Sequence, residues 1–142
     1  MEYRFATNDD LELLAHWNGQ LINDEGHWNP ASQQELVRRL AEWLQQDYEA
    51  IIFSDNEQDV AYALYREGSE EVYLRQFFVR RDQRRKGLGG KAIRSLKAGV
   101  WPPNKRINVA ALVGNPSAIA FWRAVGFSDY ALTLSMAPDE RT

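Results

Sequence analysis

Residues 74–93, LRQFFVRRDQRRKGLGGKAI, put three local preferences in a fixed order. The apolar run Phe77-Phe78-Val79 ends a strand. A basic turn follows, with Arg80, Arg81, Arg84, Arg85 and Lys86, then Gly87, Gly89 and Gly90, then a helical pattern. A chain that passes from strand to helix through such a turn is committed to a mixed α and β fold, and the turn itself suits phosphate. Glycine lets backbone N–H groups come close to an anion. A helix start adds free N–H groups and partial positive charge. Arginine adds fixed charge and forked donors. A glycine cluster alone is usually a turn, and a basic run alone is usually a solvated face; their order argues for an anion site over residues Arg84, Arg85, Lys86, Gly87, Leu88, Gly89 and Gly90. Two familiar phosphate motifs do not fit. The Gly-x-x-x-x-Gly-Lys-Ser/Thr spacing is absent, and a Gly-x-Gly-x-x-Gly run begun at Gly87 meets Ala92 at its third glycine.

The rest of the chain alternates helical and extended patterns. Residues 2–6 predict a first strand, and Thr7 with Asp10 a helix cap. Leu11, Leu14, Trp17 and Leu21 recur at helical spacing. Residues 23–31 interrupt that pattern. Ser32 and Glu35 form a capping-box pair before the stripe Leu36, Leu40, Trp43 and Leu44. Three strands are expected at about 49–54, 59–66 and 70–80, joined by short polar links. A helix over about 88–99 turns Leu88, Ala92, Ile93 and Leu96 inward. Gly89 and Gly90 in its first turn cost about 1 kcal/mol each relative to alanine, and close approach of a ligand would account for them. Residues 107–113 predict a strand. Asn115 caps the next helix, with Pro116 at its first position, and Gly126 closes it. Residues 130–136 predict a last strand.

With 142 residues the expectation is a single domain over 1–142. The absence of cysteine removes disulfides, thiolate metal sites and a cysteine nucleophile. The formal charge of −3 argues against a nucleic acid as main partner. No signal-like apolar core opens the chain and no apolar run reaches membrane-spanning length, so a soluble cytoplasmic protein without a membrane partner is expected.

Arg84-Arg85-Lys86-Gly87-Leu88-Gly89 resembles the Gln/Arg-x-x-Gly-x-Gly/Ala signature of the GNAT (Gcn5-related) N-acetyltransferases. Asn115 to Phe127, NPSAIAFWRAVGF, resembles that family's later motif Asn-x-x-Ala-x-x-Leu/Phe-Tyr-x-x-x-Gly-Phe, in the same order and at a similar distance. The resemblance implies an α/β (α+β) fold: a mixed, mostly antiparallel sheet splayed between strands 4 and 5, with helices on both faces. It implies acetyl-CoA as co-substrate and a small amine or peptide as acceptor, with no metal, and it leaves room for a homodimer. It places Arg84 to Gly90 on the pyrophosphate, the backbone of Phe77, Phe78 and Val79 along the pantetheine arm, and Asn115, Ala118 and Trp122 at the cofactor.

The proton transfers are less well marked. An alkyl amine with a pKa of about 10.4 must lose a proton before it attacks. Strand 4 offers Gln76 and strand 5 Asn108, and neither is a base. The resemblance implies that the loop between the first two helices borders the acceptor site, and the candidates there are Asp24, Glu25 and His27, the last suited to neutral-pH transfer. At the position where the family often has an acidic tyrosine this chain has Trp122, whose indole N–H donates a hydrogen bond but is not a useful acid. Tyr62, Tyr65 or Tyr130 could stand in for it. These departures keep a non-catalytic acyl-CoA-binding module open as the alternative, with a nucleic-acid module on the basic stretch as a further one.

Overall fold

The computed structural model describes residues 1–26 and 31–140. Five strands run β1 (Glu2–Phe5), β2 (Tyr48–Asp55), β3 (Gln58–Glu67), β4 (Glu71–Val79) and β5 (Arg106–Val109). The helices are α1 (Leu11–Asp24), α2 (Gln33–Gln45), α3 (Leu88–Gly99) and α4 (Pro116–Ala124). The sheet order is β1-β2-β3-β4-β5, antiparallel except for the parallel pair β4–β5.

Local chemistry sets these elements. Thr7 Oγ1 accepts from the Asp9 N–H (3.3 Å), and the Asp10 carboxylate accepts from the Thr7 N–H (2.8 Å), which fixes a single 3₁₀ turn before α1. Ser32 accepts from the Glu35 N–H (3.1 Å) and starts α2. Asn56 and Glu57, both at positive φ, make the two-residue turn between β2 and β3, the backbone twist that tight hairpins require.

The sheet separates two apolar layers. On one face, Leu14 and Trp17 of α1 and Leu36 and Leu40 of α2 cover Ile52, Tyr62, Leu64 and Phe78. Trp17 stacks on Tyr62 at 6.0 Å. On the other face, Leu88, Ala92, Ile93 and Leu96 of α3 pack on Ile51, Phe53, Ala61, Ala63 and Leu74. Helix α4 lies at the edge of this second layer with Phe121, Trp122 and Val125 only partly buried, and it has no fully buried residue.

One irregularity organises the functional end. Leu64 pairs with Gln76 and Tyr65 with Leu74, so Arg75 is an extra residue, a bulge in β4. Such a bulge bends its strand and increases the local twist. Pairing of β4 with β5 ends at the same point, with Leu74 opposite Val109. Beyond it, residues 75–79 continue along β3 and diverge from the chain after Val109. The sheet is thus splayed between β4 and β5.

Two expectations for the second half are corrected. The strand expected over 107–113 spans only Arg106–Val109, because its pairing with β4 stops where β4 bulges; Leu112 and Val113 are exposed. Residues 130–136 do not join the sheet. Their alternating pattern is that of a strand, but they pair with no strand among the described residues.

Candidate active site

The turn between β4 and α3 is built as a concave set of donors. Arg85 (φ 65°) and Gly87 (φ 75°) are both left-handed. A Cβ on Gly87 would meet nothing within 4 Å, so glycine is needed there for its conformation and not for space. Gly87 is the N-cap of α3 and offers no side-chain oxygen to the first-turn N–H groups. The start of a twelve-residue helix, with its partial positive charge, therefore lies uncapped beside Arg84, Arg85 and Lys86.

Gly89 has a different origin from the one expected. A Cβ there would lie 2.9 Å from Phe121 Cε1 and 3.0 Å from Phe121 Cζ. Close packing of α3 on α4 already accounts for this glycine, without a ligand. At Gly90 the nearest atoms are Arg94 Nη1 (3.3 Å) and Val125 Cγ1 (3.8 Å).

The gap in the sheet exposes part of β4. The Arg80 N–H donates to the Val60 carbonyl (2.8 Å). Because N–H and C=O groups alternate sides along a strand, those of Val79 and Phe77 turn away from β3 into the gap, whereas those of Phe78 turn toward β3. The Val79 carbonyl is reached from the gap side by Arg84 Nε (2.9 Å). The Phe78 ring is buried on the α1 face with Trp17 and Tyr62, and the Arg84 guanidinium lies 5.2 Å above it. The Phe77 ring stacks on Phe121 (6.0 Å) and meets Trp122 (5.6 Å). Trp122 also contacts Phe121 (4.9 Å) and Phe127 (5.3 Å), so its indole belongs to an aromatic cluster beside the gap. Asn115 caps α4: its Oδ1 accepts from the Ala118 N–H (3.3 Å) and from Ser117 Oγ (3.2 Å).

The end of α1 meets the basic turn through Asp24. One carboxylate oxygen accepts from Arg81 (3.0 Å) and the other from Arg84 (2.8 Å). Both oxygens are thus held by arginine, a poor setting for a proton acceptor. Glu25 follows at the helix end, half-buried, and its charge reaches Tyr62. His27 lies outside the described residues. On the sheet, Tyr62 donates to Gln76 Oε1 (2.9 Å). Burial, together with the charge of Glu25, pushes the Tyr62 phenol well above its ordinary value. Burial and the hydrogen bond donated to Glu49 raise Tyr65 as well. Both are poor proton donors to a thiolate. Tyr130 is exposed and sits over Arg106, 4.4 Å from the guanidinium, at the start of β5. Asn108, one residue before the last paired position of β5, donates to Glu71 (2.6 Å) at the start of β4. Among the described residues no group of three or more His, Cys, Asp or Glu could hold a metal ion.

Sequence reasoning missed the Asp24 clasp, the Arg75 bulge and the Tyr62–Gln76 pair, and also Asn18, whose buried side-chain amide has no hydrogen-bond partner among the described residues. Only Asn18 left a sequence signal, a polar residue one step from Trp17 in the apolar stripe of α1.

Residues 12–127 match the model of the acetyltransferase (GNAT) family, and the chain belongs to that family. Among solved structures it is similar to a possible acetyltransferase from Clostridium difficile 630, with 20% identity, a TM-score of 0.76, and 96% of this chain and 97% of that one covered. It is also similar to the aminoglycoside N-acetyltransferase AAC(6')-Iy in complex with CoA (16% identity, TM-score 0.76, 96% and 93% covered). An acetyltransferase from Thermus thermophilus is 24% identical, with a TM-score of 0.74 and 90% and 88% covered. No curated protein matches the sequence. Among the described residues no helix is long and apolar enough to cross a membrane.

Proposed function

We propose that the chain transfers an acetyl group from acetyl-CoA to a primary amine by direct attack, without a covalent enzyme intermediate. The observation that carries this reading is the coincidence of two features at the end of β4. One is an uncapped helix start behind the left-handed residues Arg85 and Gly87. The other is a sheet opened by the Arg75 bulge. The first suits a pyrophosphate and the second an extended arm that carries amides.

In this reading the N–H groups of Leu88, Gly89 and Gly90, with Arg84, Arg85 and Lys86, hold the phosphates. The backbone of Phe77 and Val79 pairs with the arm, and an N–H there can support the charge that develops on the thioester oxygen. Trp122 walls the arm with its ring, beside Asn115 and Ala118 at the head of α4. Glu25 and His27 are the groups assigned to receive the amine proton. Asp24, held by two arginines, positions the α1 end and takes no proton. The thiolate leaves without a protein acid, which a thiol pKa of about 8.5 permits.

The test is release of free CoA thiol from acetyl-CoA with a panel of amines, amino acids, aminoglycosides and peptides, alongside calorimetric titration of CoA. Binding with turnover of at least one amine supports the proposal. Binding without turnover makes the chain an acyl-CoA-binding module. Absence of both removes the reading.

A further inference from the structure

We propose that Arg75 is a specificity-determining residue on the acceptor side, and that it selects a primary amine carrying a carboxylate, as a free amino acid does. This rests on the transfer reading above and adds the chemical class of the acceptor to it.

Side chains alternate faces along a strand. Leu74 is buried in the layer under α3, so Arg75 faces the α1–α2 layer and Gln76 should face α3 again. Instead Gln76 accepts from Tyr62, whose ring lies in the α1–α2 layer, and Phe78 is buried in that same layer. The extra residue re-aims the strand. Two successive polar side chains, Arg75 and Gln76, thus face the α1–α2 side at the point where β4 and β5 part.

An arm bound in the gap would end at that same point. With its phosphates at residues 84–90 and its amides on Val79 and Phe77, it runs back toward Arg75, about 13 Å along the strand. The gap closes there, at Leu74 opposite Val109, so the thioester stands at the vertex. Packed rings of Phe77, Phe121 and Trp122 close its α4 side. The α1–α2 side is left for the amine, which meets Arg75 and Gln76 on the way in.

An exposed arginine is ordinary; this one is held. The Arg75 guanidinium lies 4.5 Å from the Trp43 ring centre and 5.9 Å from that of Tyr48, and its Nη1 donates to the Tyr48 hydroxyl (3.3 Å). A second guanidinium, that of Arg66, lies 5.5 Å from the Tyr48 ring. None of the ion pairs among the described residues involves Arg66 or Arg75. A preset planar fork with no carboxylate of its own matches an incoming carboxylate through two parallel hydrogen bonds. Polar groups continue from Gln76 through Tyr62 to Glu25, whose charge reaches that phenol. A cation at one end and a carboxylate at the other fit the two ends of a zwitterion, whereas a polycation would meet two arginines.

The test is CoA-thiol release with free amino acids, each set against its own amide and against an aminoglycoside. Wild type should prefer acid to amide by about 10–100-fold in kcat/KM, the worth of hydrogen bonds to a charged group. Arg75→Met keeps an apolar stem on Trp43 and removes the fork. It should lose about that factor for the acid, through KM and not through kcat, and the acid-to-amide ratio should fall toward one. Arg75→Lys, a charge without the fork, should restore part of the preference. Equal rates for acid and amide in the wild type would overturn the proposal. So would an aminoglycoside preferred over every amino acid, or equal losses for acid and amide in Arg75→Met. If no amine turns over, the transfer reading fails by itself, and calorimetric titration of the same amino acids into the protein with and without CoA decides this one. Binding that Arg75→Met abolishes sustains the site; no binding, or binding that survives Arg75→Met, overturns it.

Discussion

Replacing Asp24 by Asn separates two roles that one carboxylate could have. In the structure the Asp24 side chain is 27% exposed and clasps Arg81 and Arg84, whose side chains are 48% and 40% exposed. Ion pairs of that exposure contribute about 0.2–1 kcal/mol each. Losing both should cost the fold about 0.5–1.5 kcal/mol. Arg84 is also a proposed phosphate ligand, so CoA must compete with Asp24 for it. Removing the competitor should tighten CoA binding by the worth of one pair, about two- to fivefold. The gain should shrink as salt rises toward physiological strength, where the screening length falls to about 8 Å. Turnover should stay within about threefold of wild type. If Asp24 were the general base, kcat would instead drop by about 10²–10⁴-fold. Calorimetric titration of CoA at two salt concentrations and steady-state rates with one accepted amine decide the matter. A hundredfold loss of kcat at unchanged CoA affinity, or weaker CoA binding in Asp24→Asn, would refute the clasp.

Three further outcomes follow from the packing and the charges. Gly89→Ala should destabilise by about 1–2 kcal/mol despite alanine's better helix propensity, because its Cβ meets Phe121; urea melts should show the loss, and Phe121→Leu should restore part of it. Trp122→Phe should retain turnover within about tenfold while losing roughly 1–2 kcal/mol of stability, whereas a loss above a thousandfold in a folded variant that binds CoA would make the indole a participant in thiolate departure. Asp10 is pushed up by partial burial, but its bonds from Arg4 and Thr7 outweigh this and hold the carboxyl below its usual range. Its contribution is therefore present above the unfolded pKa of about 3.9 and is lost as pH falls through the lower folded value. Melts of Asp10→Asn and wild type should differ at pH 7 and converge near pH 2–3.

Much of the first hundred residues was legible because each element there carries its own local signal. Ser32 and Asn115 cap the helices that their side chains predict, and the strands expected at 49–54, 59–66 and 70–80 lie within a residue or so of β2, β3 and β4. The splay is also present, but its cause was hidden: Arg75 is unremarkable in sequence, and a bulge is a property of how two strands register. The end of the strand expected over 107–113, past Val109, and the strand expected at 130–136 failed for a related reason. Alternation reports that a segment is suited to a sheet and says nothing of whether an edge is available. Gly89 reads as a ligand glycine in sequence because its real neighbour, Phe121, lies thirty-two positions away. The clasp of Asp24 spans about sixty residues and joins a helix end to a turn, a relation that no local pattern encodes.

Trp101 is the last core residue of the chain; among the described residues after it none is fully buried. Beyond that point β5 has four paired residues and α4 packs only through partly buried side chains, Phe121 and Trp122 with Val125 at its end. Cooperative stability is therefore uneven along the chain. The core built up to Trp101 should open with the whole molecule, whereas β5 and α4, which carry no fully buried residue, should open as a unit at lower free energy. The aromatic wall of the proposed site stands on this weaker unit. A bound arm that touches both β4 and α4 would couple the two parts. Occupancy would then be read most sensitively in the amide exchange of α4, well before the core registers any change.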